Sequence, residues 1–119
     1  MKPLRILVVE DDSMVALTLA EMLEAQGHDV LAIATTEFEA VTAALDLKPE
    51  VMIVDAQLRE GSGIGAVDRI QNRIRIAHVF ISGDILPIHA LRPLATMIQK
   101  PFFEADLTRA IQRALDAAA

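Results

Sequence analysis

The chain has no cysteine among its 119 residues. Disulfides and thiolate-held metal sites are thereby excluded, and a reducing compartment fits. Long apolar runs are also missing. Stretches such as Ile6–Val9 and Val51–Val54 fall far short of the roughly 20 residues a membrane-spanning helix needs. The first strand is expected to begin by Leu4, which leaves no room for a signal peptide, so a cytoplasmic location is the expectation. Basic residues are in the minority, 11 Lys and Arg against 17 Asp and Glu, for a net charge of −6. Phosphate backbones and anionic lipid surfaces are held by Lys and Arg, so neither nucleic acid nor membrane is an expected partner. Repeats, low-complexity tracts and linkers are absent too. What is present is a chain that is 53% hydrophobic, too apolar for disorder, and of a length that one domain commonly has. Residues 1–119 are expected to form a single domain.

Short apolar runs alternate with helical patterns. Leu4–Val9, Val30–Ala34, Val51–Val54, Ile76–Ile81 and Ala95–Ile98 read as strands. Between them, Ser13 is placed to cap a helix running to about Gln26, with Val15, Leu19, Met22 and Leu23 on its apolar face and Gly27 ending it. Thr35 or Thr36 caps a second helix carrying Phe38, Val41 and Leu45, closed by Pro49. A third bears Val67 and Ile70, and a last one spans Ala105–Ala117 with Leu107, Ile111 and Leu115 at i, i+4 and i+8. Gly83–Pro93 fits less well. Its two prolines oppose a long helix, although Pro87 can open a short one, so an irregular or mobile stretch is expected. Strands alternating with helices imply an α/β fold, a doubly wound parallel sheet with helices on both faces. The flavodoxin-like order 2-1-3-4-5 is the expected topology.

Charged residues follow the apolar runs. Glu10, Asp11 and Asp12 follow the first strand, Asp55 ends the third, and Lys100 follows the fifth just before Pro101. Ligands of open α/β sheets gather at the carboxyl ends of the strands, and adjacent first and third strands would bring Asp11 and Asp55 together there. Clustered carboxylates repel unless a cation offsets them, which points to magnesium with Lys100 nearby. The simpler readings are a solvated helix start for Glu10–Asp12, above all for Asp12, a turn for Asp55 and a loop-capping hydroxyl for Ser82. Gly61-Ser62-Gly63-Ile64-Gly65-Ala66 fits a dinucleotide fingerprint formally but follows the wrong strand, and reads as a flexible turn. His28, His78 and His89 lack ligand spacing and read as surface or strand-end residues; Met14, Met22 and Met52 read as core filler.

Taken in order, Glu10-Asp11, Asp55, Ser82 and Lys100-Pro101 resemble the receiver domain of two-component response regulators, over the whole chain. The resemblance implies a CheY-like fold and phosphoryl transfer from a sensor histidine kinase to Asp55. It implies magnesium held by Asp11 and Asp55, by Glu10 through water, and by the backbone carbonyl of Gln57. Ser82 and Lys100 would pair with phosphoryl oxygens, and the Lys100-Pro101 bond would be cis. Downstream, the chain would act on an output protein or relay the group to a phosphotransfer protein. It would be a phosphoacceptor and not a turnover enzyme.

Some positions depart from that pattern. The aromatic switch position, three before the lysine, is Met97. A proline expected four residues after the phosphoacceptor is Arg59. The span from Ser82 to Lys100 is short, which resembles an atypical single-domain subclass with a reduced fourth helix. Two other functions compete. A magnesium-dependent phosphatase of the haloacid-dehalogenase type would need an acid where Gln57 stands. A pseudo-receiver would bind partners without phosphorylation, which the complete acidic set disfavours. For the readout, charge arriving at Asp55 is expected to draw in Ser82 and reorder Gly83–Pro93, with Ile85, Leu86, Ile88 and Leu91 as an apolar docking surface.

Overall fold

The computed structural model describes residues 2–119. Five strands, β1 (Arg5–Val9), β2 (Asp29–Ala34), β3 (Val51–Asp55), β4 (Ala77–Ser82) and β5 (Met97–Gln99), form one parallel sheet in the order β2-β1-β3-β4-β5. The expected flavodoxin-like topology is the observed one. The helices are α1 (Ser13–Ala25), α2 (Glu37–Leu47), α3 (Gly63–Gln71), α4 (Leu86–Leu91) and α5 (Glu104–Ala118).

Side chains alternate across a strand, so a strand buried on both faces feeds two cores. Ile6, Val8, Val51, Ile53, Val79 and Ile81 pack with Leu19 and Leu23 of α1 and Leu107 and Ile111 of α5. Leu7, Val9, Met52, Val54 and Phe80 pack on the other face with Ala40 and Ala44 of α2, Val67 and Ile70 of α3, and Ile88 of α4. Each large side chain so buried contributes about 1.5–3 kcal/mol. That burial clamps the strands in register: Val9 pairs with Val54, and Asp55 with Ile81. The carboxyl ends of β1, β3 and β4 therefore lie side by side.

Several local expectations need correction. Asp12, not Ser13, caps α1; its Oδ1 accepts from the Met14 and Val15 N–H groups. Of the two threonine candidates, Thr36 caps α2. Phe38 and Met14 are exposed rather than core. The reason is helical phase: each lies two residues, about 200°, from a buried alanine, Ala40 or Ala16. Val15 and Met22 pack at the core margin, and Met52 is fully buried. His28 is buried rather than on the surface; its Nδ1 accepts from the Leu4 N–H at 3.1 Å. Gly27 does end the α1 turn with a left-handed φ of 93°. Gly83–Pro93 takes the short-helix option, with Pro87 in the first turn of α4. Ile88 faces the core and so cannot belong to an exposed docking surface, whereas Leu86 and Leu91 are exposed and Ile85 is half-buried.

Candidate functional site

The site is built where three strands end. Glu10 directly follows β1 and is anchored through its N–H to the Ala34 carbonyl at 2.9 Å, so its side chain is held below the surface. Asp11, the next residue, is partly exposed. Asp55 closes β3 and is buried. Carboxylate oxygens of Glu10, Asp11 and Asp55 lie within 4.8 Å of one another. Lys100 arrives from the far end of the sequence. Its N–H donates to the Ser82 carbonyl at 2.8 Å, continuing the β4–β5 ladder, and a cis bond to Pro101 follows. Its Nζ donates to Glu10 Oε1 at 3.0 Å and to Asp55 Oδ2 at 3.1 Å.

The electrostatics follow from three carboxylates with two cations against them, the Lys100 ammonium on Glu10 and Asp55 and the exposed Arg59 guanidinium 3.5 Å from Asp11. Burial, then the neighbouring Asp55 carboxylate, pushes the Glu10 carboxyl up to about 7; Lys100 and the Asp12 N–H offset this only in part. Burial also opposes the charge on Lys100, but its hydrogen bonds to Glu10 and Asp55 outweigh it and hold the ammonium above its ordinary value. At Asp11 burial is outweighed by the Arg59 N–H, which donates to Oδ2 at 2.8 Å, and the carboxyl falls below its ordinary value. The surplus of negative charge and the hard oxygen donors fit magnesium, which favours carboxylates and retains several waters.

The remaining predicted residues are placed as follows. The Gln57 N–H donates to Asp55 Oδ1 at 2.9 Å and orients that carboxylate from the following loop. Ser82 is buried at the end of β4, one residue beyond the Ile81 that pairs with Asp55; its Oγ accepts from the Asp84 N–H at 3.2 Å, a turn-capping contact. Met97 opens β5 opposite Phe80 and packs half-buried on the second core, away from the acid cluster.

Sequence reasoning missed what supports Asp55. Gly63, first residue of α3, lies so close that a Cβ there would come within 1.9 Å of the Asp55 carbonyl oxygen. Gly61 has a φ of 81°. Ser62 caps α3 through the Gly65 N–H, and Glu37 of α2 accepts from the Ser62 N–H at 2.9 Å and from Arg69 at 3.2 Å. The glycine run is thus a tightly packed turn, not a loose one. Its glycine spacing was the available signal; Glu37, 25 residues away, offered none.

The chain as a whole is similar to known proteins. Residues 6–112 match the family described as response regulator receiver domain. The phyllosphere-induced regulator PhyR of Methylorubrum extorquens is 35% identical over 116 residues, covering 92% of this chain and 43% of that protein. The transcriptional regulatory protein PdtaR of Mycobacterium tuberculosis is 31% identical over 118 residues, covering 95% of this chain and 57% of that protein. This chain therefore spans about half the length of these relatives. Among solved structures, the receiver domain of PhyR from Erythrobacter litoralis superposes with a TM-score of 0.85 at 28% identity, covering 98% of this chain and 92% of that one. No described helix is long and apolar enough to cross a membrane.

Proposed function

Because the chain belongs to the response regulator receiver family, we propose that Asp55 accepts a phosphoryl group from a sensor histidine kinase. The observation that carries this reading is the Lys100 ammonium, brought from 45 residues away onto Asp55 Oδ2 and from 90 onto Glu10 Oε1. Such a cation stands where negative charge would arrive. An Asp55 oxygen forms the new P–O bond as the donor's P–N bond breaks, the imidazole nitrogen keeping the electron pair. The transferred group spreads charge over its outer oxygens, so the protein's task is positioning and electrostatic stabilisation. Gln57 steadies the carboxylate through its N–H. Lys100 pairs with a phosphoryl oxygen, and the Ser82 hydroxyl donates to another. Asp11 and Asp55, with the Gln57 carbonyl, are the proposed direct magnesium ligands and Glu10 the one that acts through water; the ion would neutralise charge on the incoming group.

The readout runs through Ser82. Its Oγ accepts from the Asp84 N–H at 3.2 Å, and Asp84 Oδ1 accepts from the Leu86 N–H at 3.0 Å, in the first turn of α4. Drawing the Ser82 hydroxyl toward a phosphoryl group loosens this chain of contacts and shifts α4, with Leu86, Leu91 and Leu94 at the surface. Met97 cannot supply an aromatic swing, so the segment itself carries the signal. The relatives PhyR and PdtaR are regulators by name; here a cytoplasmic phosphoacceptor acts on an output protein or passes the group to a phosphotransfer protein.

Intact mass after incubation with acetyl phosphate and magnesium tests the reading. Wild type should gain one phosphoryl group and Asp55→Asn none. No gain in wild type, even with a histidine kinase supplied, counts against it. In the phosphorylated sample, amide exchange should change across residues 83–93; unchanged protection would sink the proposed readout.

A further inference from the structure

Two contacts on Asp11 come from one residue, and neither fits the pattern the chain otherwise resembles. The Arg59 N–H donates to Asp11 Oδ2 at 2.8 Å, and Arg59 Nε lies 3.5 Å from the same oxygen. The family resemblance places a proline here. Proline has neither an N–H nor a guanidinium, so a proline at this position could make neither contact. The guanidinium is also unlike the other basic groups near the site. Lys100 is partly buried between two acids, while the Arg59 side chain is 81% exposed and reaches back over Asp11 from the loop after β3.

We infer that the Arg59 side chain is a tethered competitor for the divalent cation at Asp11, setting the cation concentration at which the site loads. This rests on the proposed phosphoacceptor reading. The oxygen that faces the guanidinium belongs to one of the three carboxylates that converge. Magnesium binds carboxylate oxygen at roughly 2.0–2.1 Å with near-ideal octahedral geometry. A guanidinium on that oxygen takes up lone-pair density and places a like charge beside the ion. Arg59 must therefore move off when the ion binds, and its exposure makes that motion cheap. A recess of about 300 Å³ lined by Asp11, Thr35, Thr36, Arg59 and Glu60 gives it room, with the Glu60 carboxylate as an alternative partner. The backbone N–H stays in place and keeps Asp11 oriented, so only the side chain competes.

Magnesium titration by calorimetry, in the absence of any phosphodonor, tests this. Arg59→Ala should bind magnesium about two- to fivefold more tightly than wild type, the range an exposed ion pair spans. Arg59→Lys, which keeps the charge without the planar group, should fall between. Arg73→Ala, which removes an equal charge at the far end of α3, should match wild type. Equal affinity in wild type and Arg59→Ala, weaker binding in the variant, or an equal gain in Arg73→Ala would each overturn the inference. In those cases phosphoryl uptake by wild type would leave the phosphoacceptor reading standing. Magnesium bound by none of the proteins would overturn the metal assignment and this inference together.

Discussion

Two consecutive crossovers of the same kind, β3–α3–β4 and β4–α4–β5, are built very differently. The first has a nine-residue helix capped by Ser62, and it buries Gly63, Ala66, Val67 and Ile70. The second has a six-residue helix with Ile88 as its buried residue, and Ile85 offers it no side-chain cap. Leu86, Leu91 and Leu94 stay in solvent, the last 96% exposed. β5 itself has three residues where β4 has six. Burial per residue sets how much free energy resists local opening. The proposed nucleophile thus sits on the resistant crossover, and Ser82 opens the yielding one. That division suits a switch, in which charge arrives at a fixed point and the response occurs where opening is cheap.

Paired substitutions can break this comparison. The largest effect is expected at glycine. Gly63→Ala would drive a Cβ to within 1.9 Å of the Asp55 carbonyl oxygen, whereas a Cβ at Gly83 meets nothing within 4 Å. A backbone clash cannot be relieved by a rotamer change, so Gly63→Ala should cost more than about 3 kcal/mol in urea unfolding. Gly83→Ala should stay within about 0.5 kcal/mol. Similar costs at both positions would end the claimed asymmetry.

A smaller contrast is expected between isoleucines of the same core cluster. Ile70→Ala should cost about 3–4 kcal/mol, since α3 packs along its length. Ile88→Ala should cost nearer 2 kcal/mol, because a six-residue helix can open locally instead. Amide exchange in Ile88→Ala should rise within residues 86–91 and stay unchanged in α3. Spread of the effect into α3 would show that the two crossovers are coupled.

The smallest effect sharpens the picture at the opposite, amino-terminal end of the sheet. Burial is the main cause holding the His28 imidazole below its ordinary pKa of 6.5. Its folded value being lower than its unfolded one, the neutral ring stabilises the fold above about 6.5, and this contribution is lost as pH falls through the folded value. Thermal unfolding between pH 7.5 and 5 should therefore show an acid limb. His28→Ala should flatten it and cost about 1–2 kcal/mol at neutral pH, from the unpaired Leu4 N–H. An unchanged limb would assign the acid sensitivity elsewhere.

Much of this was legible beforehand, and the reason is periodicity. Strand burial on both faces leaves continuous apolar runs, so β1 and β3 and the acids that close them stand out, as does Lys100-Pro101. Helix faces were less legible. Phe38 and Met14 looked like core because they are large and apolar, while the alanines that are actually buried, Ala16, Ala40 and Ala44, carry little hydrophobic signal. His28 had no ligand spacing and so was placed outside, although one backbone N–H is enough to hold a neutral ring inside. The Gly61–Gly65 run was visible, but not its purpose, since close approach depends on which carbonyl lies opposite.

The sequence alone determined the order of elements, the topology and the identity of the acids and the lysine, because these depend on local pattern and on the few allowed ways to wind a parallel sheet. Only the tertiary structure decided that Lys100 bridges Glu10 and Asp55, that Gly63 rests on the Asp55 carbonyl, that Ile88 turns inward, and that Arg59 lies on Asp11. Those are contacts between distant or differently phased residues. Their existence depends on ångström distances set by packing, which no run of residues encodes by itself.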